Sequence, residues 1–418
     1  MSLFPHQSET PHSPQSGESF SEAFLDSSSR TRDSLPEQHR THFDELRSGI
    51  LAFCHEFKIP IETLRSKEDF GKQLATKTIP SARMAEVVSL FVQLEHLVVR
   101  REPLRETHPE YLEEAERLYH LGEQYTAQKN LLEQVGILKE GVITGIDGKS
   151  YPIPTLEQIA VRLFERKEGG LSTKQDQGFT KLLLVPFGMS LDALCKTLKQ
   201  FLLTYKKDHL DFDLNIDDPL YTNPEYEGAV LGNIPKIIYF PKSFDKDDHQ
   251  GKTKLDVLEE QTPNTDSSFP GWRVHLFQPS DPTDSYSLGF RGIPTKGKGK
   301  NHGEENPRPD FETHQTPTKY LSTLQEAQDD PDSPYHGESG MTPEDWIIAL
   351  MTHLTETGKS LDGENITDNT ACLIGAFLPS FVDVPTAYWN SASRQAVLIV
   401  LDPGVQDWDV GIRSSVII

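Results

Sequence analysis

Three short apolar runs limit what this chain can become: Lys181-Leu-Leu-Leu-Val-Pro186, Lys236-Ile-Ile-Tyr-Phe240 and Trp272-Arg-Val-His-Leu-Phe277. Each is too short for a helix and rich in residues that favour a pleated surface, as in strands buried within a sheet. Helix signals lie between them. Thr155 followed by Gln158 forms a capping box ahead of Leu156, Ile159, Ala160, Leu163 and Phe164, and Gly169-Gly170 is the expected stop. Ser190 caps a second helix bearing Leu191, Leu194, Cys195, Leu198, Phe201 and Leu202, and a third spans Leu255 to Gln261. Strands alternating with helices predict a small α/β region over residues 141–280.

The flanks differ. Residues 1–36 hold ten Ser and four Pro. They offer too little apolar surface to offset chain entropy, so a disordered tail is expected. Residues 37–140 read as helical. Val87, Val88, Leu90, Phe91, Leu94 and Leu97 recur at helical spacing between Met84 and Arg101, and a second helix begins after Pro109 with Tyr111, Leu112, Ala115, Leu118, Tyr119 and Leu121. Residues 281–418 form a C-terminal β-rich mixed domain, with a long polar loop at 281–316. Thr316-Pro317 and Thr342-Pro343 each start a helix there, and Gly358 closes the second. The fold class is therefore mixed, α+β with an α/β region.

Composition excludes several roles. The chain of 418 residues has a formal net charge of −23. Such a surface repels phosphate backbones and anionic bilayers, so nucleic acid and membrane are not expected partners. No stretch approaches the apolar length of a membrane span, and the first residues lack a basic start and an apolar core of a secretory signal. Three widely spaced cysteines, Cys54, Cys195 and Cys372, argue against a disulfide framework. A soluble, cytoplasmic protein is the expectation.

The motifs for chemistry fail at their specific positions. Asp211-Phe-Asp-Leu-Asn-Ile-Asp-Asp218 begins like a calcium loop but has Ile216 at the glycine position and Thr222 at the glutamate position. Gly251-Lys252-Thr253 resembles the end of a phosphate loop, but Lys246 replaces its first glycine and Asp245, Asp247 and Asp248 would repel phosphate. His39 and His42 lack a third metal ligand nearby. Cys195 and Cys372 sit in apolar stretches like inert thiols, and Lys296-Gly-Lys-Gly-Lys300 reads as a solvated loop. No Gly-x-Ser-x-Gly elbow occurs. No catalytic residue, metal site or cofactor is expected.

The end of the chain is more informative. Trp389-Asn-Ser-Ala-Ser-Arg394 precedes Val-Leu-Ile-Val-Leu-Asp402-Pro403, then Gln406, Trp408 and Asp409, then Gly411-Ile-Arg413. Lone aromatics amid small polar residues have the character of a binding surface. The order Trp389, Arg394, Asp402-Pro403, Gly411-Ile-Arg413 resembles the tail of C-type-lectin-like domains of the formylglycine-generating-enzyme type and of variable proteins of diversity-generating retroelements. Thr342-Pro-Glu-Asp-Trp346 is similar to a helix of that family. The chain as a whole resembles proteins of candidate-phyla bacteria at Asp147-Gly148-Lys149, Pro186-Phe-Gly188 and Gly251-Lys-Thr253, a likeness that implies no activity. The enzymatic branch uses a C-terminal cysteine pair, whereas only Cys372 is present here. The resemblance implies a scaffold of Trp389, Arg394, Asp402 and Arg413, with the two arginines satisfying buried carbonyls or Asp402. Asn390, Ser391, Ser393, Leu398, Ile399, Val400, Gln406, Trp408 and Asp409 would then be tolerant positions facing ligand.

The expected function is a non-enzymatic ligand-binding protein whose partner is a protein or a small molecule. Two alternatives stand beside it. One is an enzyme with its site at the strand ends near Pro186-Phe-Gly188, where open sheets usually bind ligands. The other is a scaffold protein binding partners through an exposed apolar stripe on the Met84 helix.

Overall fold

Helix ends in this chain are fixed by side-chain caps, and the caps set where the sheets begin. The computed structural model describes residues 30–33, 35–60, scattered positions between 73 and 97, then 109–232, 234–261, 269–363 and 369–418. Two units are distinguished, residues 1–106 and 107–418.

In the first unit, helix α1 (Glu37–Glu56) starts after Pro36. It buries Phe43, Leu46, Ile50, Phe53 and Cys54, which helical periodicity places on one side. Val87, Leu94 and Leu97 belong to the same core. The expected Met84–Arg101 helix lies largely outside the described residues, but these three side chains are buried rather than forming an exposed stripe. Most of the expected tail, residues 1–29, also lies outside the described residues.

The second unit begins with α2 (Pro109–Tyr119) and α3 (Leu121–Gln134). A single helix was expected here. His120 instead adopts φ 48° and breaks it, while its ring accepts or donates a 3.0 Å bond with Ser285 Oγ. A hairpin follows, β1 (Val142–Thr144) and β2 (Ser150–Pro152), turning at Gly148 with φ 76°. Helix α4 (Leu156–Glu165) carries the capping box: Thr155 Oγ1 accepts from Gln158 N and Gln158 Oε1 accepts from Thr155 N. The stop expected at Gly169-Gly170 is absent. The chain continues through a π turn, Lys167–Leu171, into a short helix, Ser172–Asp176.

Strand β3 (Lys181–Val185) leads to α5 (Leu191–Asp208), with Ser190 Oγ accepting from Ala193 N. Then come β4 (Leu220–Thr222), β5 (Ile238–Tyr239), α6 (Lys254–Glu260), β6 (Arg273–Phe277) and the small hairpin β7 (Asn301–His302) and β8 (Arg308–Pro309). Next are α7 (Pro317–Gln328), β9 (Glu338–Gly340) and α8 (Pro343–Thr357). The chain closes with β10 (Thr370–Cys372), β11 (Ala376–Phe377), β12 (Val384–Asn390), β13 (Gln395–Leu401), β14 (Val410–Gly411) and β15 (Ser414–Ile417).

Two sheets organise this unit. One runs β3-β6-β15-β9, antiparallel throughout, and the other β14-β10-β12-β13-β4. Helix α8 packs on β3, α5 and β12. Its residues from Pro343 through Thr352 are all buried, so it is enclosed on every side rather than amphipathic. The protein is thus mixed α+β. The divisions expected at 140 and 280 fall inside the second unit, because β3 and β6 share a sheet with β15, and β4 pairs with β13. The polar loop 281–316 is also anchored: Phe290, Ile293, His302, Arg308, Asp310 and Phe311 are buried.

Candidate ligand-binding groove

The hairpin of β12 and β13 determines what the C-terminal segment can present. Its register pairs Thr386 with Ile399, Ala387 with Leu398, Tyr388 with Val397 and Trp389 with Ala396. Side chains alternate across a strand, and directly paired residues point to the same face. One face therefore carries Ala387, Trp389, Ala396 and Leu398. These are at most 5% exposed and join the main core, with Ala371 of β10 and Leu220 of β4 beside them. The other face carries Thr386, Tyr388, Asn390, Ile399 and Leu401. Part of it is covered by Tyr320, Leu321 and Leu324 of α7, which pack with Cys372, Val384 and Val410. The remainder forms an open groove of about 400 Å³.

Thr386, Tyr388, Ile399 and Leu401 line this groove, Asn390 and Ser391 border it at the hairpin turn, and Asn369, Thr370, Asp407 and Asp409 form a wall. That wall is tied together where Thr370 N donates to Asp409 O and β10 runs parallel to β14. Asn369 is 5% exposed, and its Nδ2 donates to Ile293 O and Thr295 Oγ1. Burial, then the neighbouring Asp407 carboxylate, raises the Asp409 carboxyl above its ordinary value.

The structure sorts the expected display residues. Asn390, Ser391, Ile399 and Asp409 come together at the groove. Leu398 is fully buried and Val400 packs against the core, since both fall on the inner face of the alternating strand. Ser393 is half-buried in the hairpin turn, where its backbone N donates to Asn390 Oδ1. Gln406 and Trp408 are exposed outside the groove lining, Trp408 at 64%. The tightly spaced run Leu398-Ile399-Val400 thus offers one groove residue, not three.

The expected scaffold also differs in its bonding. Trp389 is buried against Phe212, and its N donates to Asp362 O. Arg413 is buried and pairs with Asp362, which also accepts from Trp346 Nε1 at 3.2 Å. Arg394 is exposed and pairs with Asp213 at 3.3 Å. Its structural part is played by the backbone, with φ 56° at the end of the turn and its carbonyl accepting from Asn215 N. Asp402 is exposed, accepts from Gly404 N and holds neither arginine. Sequence reasoning overlooked Tyr388, Leu401 and Asn369. The alternation from Val384 to Asn390, mirrored from Gln395 to Leu401, carried the signal for the first two.

A second assembly, unforeseen in the sequence, lies inside the fold. Glu344 and Asp345, in the first turn of α8, are both fully buried. Lys254 Nζ and Tyr239 Oη each donate to Glu344 at 2.7 Å. Arg273 donates to Asp345 at 2.9 Å, His275 Nε2 lies 3.2 Å from it, and the other His275 nitrogen meets Ser415 Oγ. Despite burial, Arg273 and His275 hold the Asp345 carboxyl well below the usual carboxylate range. Burial pushes Lys254 and His275 down. Further along, Glu338 on β9 receives Lys174 and both Arg308 nitrogens between 2.6 and 2.9 Å. Lys254, Glu344, Arg273, Asp345 and His275 are at most 4% exposed, so they join elements rather than meet a reactant. Phe187 of Pro186-Phe-Gly188 is likewise fully buried, beneath Lys254.

The remaining motifs behave structurally. Thr253 of Gly251-Lys252-Thr253 caps α6 in a box with Asp256. Asn215 Oδ1 folds the Asp211–Asp218 stretch on itself by accepting from Asp217 N and Asp218 N. Among the described residues, no cluster of three metal-ligating side chains occurs and no helix is long and apolar enough to cross a membrane. Comparison with protein-family models, curated proteins and solved structures gives no match.

Proposed function

We propose that this is a ligand-binding protein that receives its partner in the groove of the C-terminal sheet. One observation carries the reading: β12 and β13 divide their side chains between a packed face and an open, concave one. A rigid strand pair presenting mixed polar and apolar groups is a suitable base for recognition, because its positions are fixed before binding. The buried anchors Trp389 and Arg413 support the likeness to C-type-lectin-like display domains, in which scaffold residues hold up tolerant ones. In this reading the display set is Tyr388, Asn390, Ser391, Ile399, Leu401 and Asp409.

A library randomised at Tyr388, Asn390, Ile399 and Asp409, selected for protease resistance, tests it alongside one randomised at Ala387, Trp389, Ala396 and Leu398. The first should keep many folded members and the second few. Equal intolerance would remove the reading. A thermal-shift screen of peptides and small molecules supplies the second arm. Any stabilising compound should lose its effect in Ile399→Arg, which fills the groove while leaving the inner face intact.

A further inference from the structure

The wall of the groove is chemically one-sided. Asp407 and Asp409 are the charged residues lining it, and no basic side chain accompanies them among the described lining residues. Their carboxyls lie within hydrogen-bonding reach of each other. Asn369, beside them, spends both amide protons on Ile293 O and Thr295 Oγ1. No donor among the described residues reaches its Oδ1, although the side chain is 95% buried at the groove. Three neighbouring groups can therefore accept hydrogen bonds and lack a cation. The opposite side of the groove, Tyr388, Ile399 and Leu401, is largely apolar.

We infer that the groove takes an arginine side chain presented by a peptide or protein partner. A guanidinium supplies five donors in a planar fork and suits paired carboxylates with an adjacent amide oxygen. Its three-carbon stem would lie along Ile399 and Leu401, and its plane can stack on the Tyr388 ring. An ammonium offers a compact point charge and cannot span the same acceptors. Bringing two carboxyls together without a counter-charge is costly, and burial plus Asp407 already holds Asp409 above its ordinary value. A bound guanidinium removes that cost. This inference rests on the groove being the binding site.

The test uses the full chain and two pools of nine-residue peptides with randomised flanks, one with central arginine and one with central citrulline, read by fluorescence anisotropy. Arginine peptides should bind at least tenfold more tightly. That preference should vanish in Asp407→Asn/Asp409→Asn and persist in Asp247→Asn/Asp248→Asn, which removes the same charge from an exposed loop. Equal binding of the two pools, an unaffected carboxylate variant, or no binding of arginine peptides would overturn the inference. The groove itself is judged separately. If Ile399→Arg abolishes binding of citrulline peptides or of neutral compounds, the site stands and its charge preference fails. If Ile399→Arg changes nothing that binds, the site fails as well.

Discussion

At the scale of single residues, the largest effects are expected where charge is buried. Lys254 and Glu344 are both fully enclosed, so removing one partner strands the other. Lys254→Ala should cost about 3–5 kcal/mol in urea unfolding, and replacing both residues by Met and Leu should restore most of that loss. His353 makes a different prediction. Burial, reinforced by Arg413 and Lys181, pushes it down to about 3, and its Nδ1 accepts from Phe290 N as a neutral ring must. The unfolded ring titrates near 6.5, so it binds a proton first. Stability from this group is complete above about pH 6.5 and declines as pH falls toward 3. In His353→Gln the slope of unfolding free energy between pH 6 and 4 should be shallower by about 1.4 kcal/mol per pH unit. His275 and His302 are lowered as well and should leave a residual slope. None of these partners was legible in the sequence, because ion pairs such as Lys254–Glu344 and Arg273–Asp345 join residues far apart in the chain.

At the scale of elements, the capped helices were readable and the paired strands only partly so. Thr155, Ser190 and Thr342 each cap the helix their local pattern announces, since a cap depends on residues three positions apart. The β12–β13 hairpin also had a local signal, but which face meets solvent depends on α7 and α8, which no short window contains. Adjacent substitutions expose that difference. Leu398→Ala should lower stability by about 2–5 kcal/mol, whereas Ile399→Ala should stay near or below about 1 kcal/mol. Chemical denaturation of the two variants checks it, and similar losses would mean that the faces are not distinct. The missed break at His120 has a simple reason: a non-glycine residue in the left-handed region gives little sequence warning.

At the scale of the whole molecule, composition correctly marked polar and apolar regions but not which of them share a core. The expected boundary at 280 fails because Leu276 pairs with both Leu182 and Val416. Residues 107–418 contain their own sheets and main core, so that fragment should unfold in a single cooperative transition, followed by circular dichroism. A gradual, non-cooperative loss of signal would show that the division at residue 106 is not one of stability.

The pairing of β4 with β13 has a consequence in time. Leu220 must find Ala396, and the intervening chain cannot bring them together by local turns. Contacts between such distant positions slow folding, because loop-closure entropy is lost before the contacts form. The sheet that bears the groove should therefore be among the later parts of the molecule to acquire protection from hydrogen exchange during refolding, after the capped helices have formed.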